Sequence, residues 1–120
     1  MNIEDFLRVA AGFSVAKGAC RVAATSAVTM SGPQTVDAVD LVAGDRVLRA
    51  IGTSADNGIY IVSSAEWERA VDMSTDAFLV LGALVPVLEG TEHAGSLWMM
   101  TQPTTIRPTL GDDELEFSKV

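Results

Sequence analysis

The sequence predicts an all-β domain, a small antiparallel barrel or sandwich, behind one short N-terminal α-helix. Three observations carry this. Strand-length apolar segments recur from Arg21 onward, each closed by Gly, Pro, Asp, Asn or Ser. The pair Asn57-Gly58, which tolerates positive φ at both central positions of a tight turn, opens the apolar run Ile59-Tyr60-Ile61-Val62. Residues 3–11, by contrast, place apolar side chains at helical spacing.

The helix comes first. Asn2 can cap it, and Glu4 and Asp5 fall in the first turn, where the helix dipole favours anions. Ile3, Phe6, Leu7 and Ala10 share one face, and Gly12 supplies a stop. Nine residues are too few for a helix that is stable alone in water. The apolar stripe must therefore dock, either in a partner's groove or on its own domain. Residues 13–20 read as a linker or short strand. The chain thus divides into 1–20, a helix and linker forming a candidate partner-docking element, and 21–120, a β domain.

In that domain the spacing predicts extended chain over 21–25, 27–30 and 35–37, then the turn Ala43-Gly44-Asp45 and a strand over 46–51. Residues 59–63 leave the Asn-Gly turn, and 66–71 return with Trp67 and Arg69 on one face. A polar break at 72–76 has room for one helical turn. Residues 77–89 are strand-rich, with Gly82 at a bulge and Pro86 at an edge. Segments 97–101, 104–107 and 114–118 complete the sheet. Core candidates are Val47, Leu48, Ile59, Ile61, Trp67, Val85, Val87, Trp98, Leu115 and Phe117. Neighbouring charges suggest two ion pairs, Asp45 with Arg46 and Asp72 with Arg69.

A chain of 120 residues points to one domain. No apolar run reaches the ~18 residues needed to span a bilayer; the longest, 78–88, carries a Gly and a Pro. Acids stand near the N-terminus where a secretory leader needs Lys or Arg. A single cysteine, Cys20, excludes an internal disulfide and fits a reducing compartment. With a net charge of −8 and eight scattered basic residues, nucleic acid and anionic membranes are not expected partners.

Chemistry is sparse. Any Ser-His-Asp or Cys-His arrangement must use His93, the single histidine, which lies in a turn sequence unconnected by spacing to Cys20. Asp45, Asp72 and Glu89 are candidates for a glycosidase acid pair, but each sits beside a turn, where Asp commonly bonds backbone. The run Asp112-Asp113-Glu114-Leu115-Glu116 lacks the spacing and glycine of a calcium loop. Too few Cys and His are present for a structural zinc site. No catalytic residue, cofactor or metal is expected. Tyr60, Trp67 and Trp98 are candidate glycan contacts, since exposed aromatic rings stack on sugar faces.

Several pieces occur in a recognisable order: Arg21-Val-Ala-Ala-Thr, Val28-Thr-Met-Ser-Gly-Pro-Gln-Thr-Val-Asp37, Leu41-Val-Ala-Gly-Asp-Arg-Val-Leu48, Asn57-Gly-Ile-Tyr60 and Trp67-Glu-Arg-Ala-Val-Asp72. The segments 85–90 and 95–101, then Leu110-Gly and Leu115-Glu-Phe117, continue the series. Over about residues 21–118 this resembles a module of tail-fibre and related appendage proteins of tailed bacteriophages and prophages. The sequence departs from that module at Arg49-Ala50-Ile51-Gly52, where the family has a Val-Lys pair and a Gln-rich loop, and in its N-terminal helix segment. The resemblance implies a non-enzymatic virion component made in the host bacterial cytoplasm: a tail-fibre or appendage protein, adaptor or capsid-decorating protein. It implies a homo-oligomer, with a trimer favoured, docked to other virion proteins. Host attachment through a surface glycan is the alternative.

Overall fold

A computed structural model of the chain describes residues 15–105 and 108–120. The helix expected over 3–11, with Ile3, Phe6, Leu7 and Ala10, lies outside the described residues, as does the end of the strand expected over 104–107. The described residues are β-rich. They form β1 (Val22–Ala24), β2 (Thr35–Val36), β3 (Val39–Asp40), β4 (Arg46–Arg49), β5 (Gly58–Ile61), β6 (Glu68–Arg69), β7 (Leu84–Val87), β8 (Ser96–Gln102) and β9 (Glu116–Lys119). Two 3-10 turns, Val71–Met73 and Asp76–Phe78, occupy the polar break and the start of the next apolar segment, so the strand there is shorter than expected.

The strands make three sheets, ordered β1-β4-β5-β6, β2-β3 and β7-β8-β9, and none closes on itself. One departure from an antiparallel fold is plain: β1 pairs with β4 in parallel, Val22 beside Val47 and Ala24 beside Arg49. The segment before β1 explains this. Residues 15–21 run parallel to β7, exchanging bonds such as Lys17 N–H to Leu84 O (2.8 Å) and Leu88 N–H to Cys20 O (3.0 Å). Arg21 N–H then turns to Arg46 O (2.8 Å), and the chain transfers to β4. A single stretch of backbone thereby satisfies the edges of two sheets, which an unpaired edge strand would otherwise expose.

Burial patterns tell the two larger sheets apart. In the first, β1 is buried at all three positions and β5 at three of four. Such strands have both faces covered and read as continuous apolar runs. Ala23, Leu48 and Ile59 face one core, shared with Val85, Val87, Trp98, Met100, Leu115 and Phe117. Val22, Val47, Tyr60 and Val62 face a second, closed by Val36, Leu41 and Trp67. In the third sheet β7 and β8 alternate, with only one face in the core. All ten predicted core residues pack in these two clusters, Ile61 as a partly buried member.

Turn chemistry differs from expectation at two places. Gly58 is the first residue of β5, paired with Arg49, so Asn57-Gly58 is the end of a longer β4–β5 connection rather than a two-residue hairpin turn. The tight hairpin is β2–β3, whose central Asp37 and Ala38 have φ of 48° and 65°. Gly82 stands in a turn closed by Ala83 N–H to Val80 O (2.9 Å); the sheet irregularity falls instead in β8, between Met100 and Gln102.

Candidate functional site

A polar cleft of about 150 Å³ is present among the described residues. It lies where the chain leaving β1 (residues 23–28) passes the β2–β3 hairpin and the 90–95 turn, and Thr25, Asp37, Glu92 and His93 line it. The hairpin positions its acid. Asp37 accepts backbone N–H groups from Glu92 (2.9 Å) and His93 (3.0 Å), while its own carbonyl accepts that of Thr91 (3.1 Å). Its carboxyl is held below the usual range first by the Glu92 N–H, against a desolvation penalty and with help from His93. Gly90, at φ 118°, lets the chain pass this carboxylate; a Cβ there would collide with it.

His93 is largely enclosed, its side chain 11 % exposed and its ring edge-on to Trp98 at 5.3 Å. Its Nε2 stands 3.4 Å from Thr25 Oγ1 and 3.6 Å from the exposed Glu92 carboxylate. A nucleophile–base–acid relay needs hydroxyl and carboxylate on opposite ring nitrogens. Here both approach the same nitrogen. Nδ1 is buried without a partner. Asp37, the acid that could complete a relay, spends its oxygens on backbone. The cleft thus brings His93 and two acids together in an arrangement that orders a turn and does not form a hydroxyl–imidazole–carboxylate relay.

The three acids considered for a glycosidase pair, Asp45, Asp72 and Glu89, sit in ion pairs with partners the local sequence did not suggest. Asp45 pairs with Arg21 (2.8 Å), which also holds Glu89 (3.1 Å). Asp72 takes both ends of the Arg46 guanidinium (3.1 and 2.9 Å) and the N–H of Gly18 (3.0 Å). Arg46 in turn donates to the carbonyls of Gly18 (2.9 Å) and Ala19 (3.1 Å). This clamp fastens the 17–20 segment to β4. Arg69, expected beside Asp72, instead donates to Asn57 O and Ala55 O (both 2.9 Å) and lies over the Tyr60 ring.

Burial pushes the Asp45 and Asp72 carboxyls up. Their bonds from Val42 N–H and Arg21, and from Arg46 and Gly18 N–H, outweigh it and leave both below the usual range. A glycosidase acid needs the reverse shift. The Cys20 thiol is pushed up to about 12, mainly by burial, which suppresses the thiolate a nucleophile requires. In the acidic run, Asp113 accepts Thr109 N–H (2.6 Å) and Glu116 accepts the Thr53 hydroxyl (2.7 Å). No group of three or more metal-ligating side chains converges among the described residues.

The three aromatic candidates are core residues. Trp67, Trp98 and Tyr60 are 4 %, 6 % and 8 % exposed. Trp67 donates its indole N–H to Gly32 O (3.0 Å), Trp98 to Ser96 Oγ (2.9 Å), and Tyr60 its hydroxyl to Asp56 O (2.5 Å). Stacking on sugar needs an open ring face, so this burial counts against their use as glycan contacts. The residue that sequence reasoning misread is Asn57. It is fully buried and accepts from Arg49 Nη1 (3.0 Å) and Ile51 N–H (3.1 Å). It also donates to the carbonyls of Ile51 (3.3 Å), Gly52 (3.0 Å) and Leu115 (2.9 Å). One side chain thereby brackets the β4–β5 loop to the start of the last strand. In comparisons with known proteins, no family model, curated protein or solved structure matches the chain.

Proposed function

We propose that the chain is a non-enzymatic structural component of a tailed-phage virion, a tail-fibre or appendage protein, adaptor or capsid-decorating protein. It works by self-association, as a trimer, and by docking to other virion proteins in particles assembled in the bacterial cytoplasm. The observation that carries this is the ordered series of motifs from Arg21 to Phe117 and its resemblance to the tail-fibre module. The use the chain makes of those motif residues supports it. Asp45, Arg46, Asn57, Trp67 and Asp72 are spent on clamps, brackets and core contacts within the chain. The proposed fold is accordingly a small β sandwich, its sheets open, that serves as an inert scaffold. Attachment through a glycan has less support, because its aromatic platform is buried.

Light scattering on the purified chain, across a hundredfold range of concentration, tests the self-association. A defined oligomer, three copies being the expected number, is the predicted result. A strict monomer that also retains no structural protein from a lysate of assembling particles overturns the proposal.

A further inference from the structure

Asn57-Gly58 is the one Asn-Gly pair in the chain, and the fold needs both halves of it. The Asn57 amide is pinned at both ends: Oδ1 by Arg49 Nη1 and Ile51 N–H, Nδ2 by the carbonyls of Ile51, Gly52 and Leu115. Gly58 has φ 143°, and a Cβ there would stand 2.6 Å from Arg69 Nη1. The bonds of Arg69 to Asn57 O and Ala55 O hold that guanidinium in place. Asparagine and glycine are thus each fixed by contacts, and neither by a hairpin turn.

The same pair carries a reaction of its own. In an open chain the deprotonated Gly58 nitrogen attacks Asn57 Cγ. A new C–N bond closes a succinimide ring, the Cγ–Nδ2 bond breaks, and Nδ2 takes up a proton and leaves as ammonia. Water then opens the ring at one of its two carbonyls. The product is aspartate, or isoaspartate with the main chain running through Cβ. Glycine favours the attack because no side chain crowds its nitrogen.

The folded chain closes this route. Cγ must swing onto the Gly58 nitrogen, which breaks the amide's bonds, and Asn57 is 0 % exposed to the water the second step consumes. Arg69 pulls the other way, since a cation on the Asn57 carbonyl favours the peptide anion. Geometry wins: losing three of the five bonds, each worth a factor of about five, already slows the attack about a hundredfold. Neither product fits the vacated place. Aspartate keeps Arg49 but turns an oxygen, where Nδ2 stood, toward the carbonyls of Ile51, Gly52 and Leu115. Isoaspartate adds a backbone atom and moves Gly58 off its ladder partner Arg49.

We propose that Asn57-Gly58 is a self-modification site that folding closes: chains that stay unfolded deamidate there, with water as co-reactant, and deamidated chains do not regain the fold. The supply of usable chains is thereby restricted to those that fold promptly, whatever they then assemble with.

The test incubates the full chain at pH 8 in buffer and in urea. Samples are digested at acidic pH, and mass spectrometry resolves the residue-57 peptide into its Asn, Asp and isoaspartyl forms. Conversion should be about a hundredfold slower in buffer. On dilution from urea, unconverted chains should regain the native circular-dichroism signal and converted ones should not. Equal rates in the two conditions overturn the proposal, as do converted chains that refold with an unchanged urea midpoint. Asn57→Asp, made directly, is the second arm: loss of the cooperative transition, or a midpoint well below the parent's, is expected, and a native midpoint contradicts the proposal.

Discussion

Replacing Asn57 by glycine separates two accounts of the Asn-Gly pair. If the pair were a tight hairpin turn, glycine would serve as well as asparagine, and stability would change by a few tenths of a kcal/mol. In the structure Asn57 is fully buried and makes five side-chain hydrogen bonds, to Arg49, Ile51 (N–H and O), Gly52 and Leu115. Each such bond contributes about 1 kcal/mol net, and leaving a buried partner unsatisfied costs about 1–3 kcal/mol. Gly52 is exposed and can return to water, and the Leu115 carbonyl keeps the Ser54 N–H (3.0 Å), so the cost falls mainly on the lost bonds themselves, of which Arg49, Ile51 and Leu115 hold four. The expected loss is therefore about 3 kcal/mol. For a domain near this size that lowers the melting temperature by roughly 10–20 °C. Urea denaturation followed by circular dichroism measures it. A loss below about 1 kcal/mol, with the transition still cooperative, refutes the bracket.

Gly90→Ala should destabilise by roughly 2–3 kcal/mol, because a Cβ at φ 118° meets the Asp37 carboxylate. Gly111→Ala, where φ is 87° but no atom lies within 4 Å of the added Cβ, should cost about 1 kcal/mol, and equal losses in denaturation would contradict the clash. Asp37, Asp45 and Asp72 have folded pKa values below their unfolded ones. The stability they add is complete above about pH 4 and is lost as pH falls through the folded values. Urea midpoints should hold from pH 7 to 5 and drop below pH 4, less steeply in Asp72→Asn; a maximum near pH 3 would reverse the sign. Cys20, fully buried with its thiol pushed up to about 12, should resist alkylation at pH 8 in the native chain and react in urea. Rapid native labelling would show an accessible thiolate.

Much of the fold was legible because burial in a two-sided sheet leaves a local trace. Apolar runs such as Val22-Ala23-Ala24 and Gly58–Ile61 mark buried strands without any knowledge of their neighbours. Pairing leaves none. The parallel β1–β4 contact exists because residues 15–21 first follow β7, a strand some 70 residues away. Ion pairs failed for the same reason. Asp72 stands three residues from Arg69 yet pairs with Arg46, and Asp45 adjoins Arg46 yet pairs with Arg21. Adjacent strand residues point to opposite faces, so nearness in sequence carries little information about charge partners. Asn57 looked like turn chemistry because its residue type suits turns. Only the arrival of Leu115 beside it turns that amide into a buried bracket. The cleft at His93 was unreadable in the same way, since Thr25, Asp37 and His93 come from three separate connections.

Quantitative mass spectrometry of density-purified particles, from bacteria that produce the chain, tests the structural role most directly. The chain should band with the particles at a fixed copy number relative to the major structural proteins. A chain abundant in the lysate but absent from intact particles would contradict a virion component.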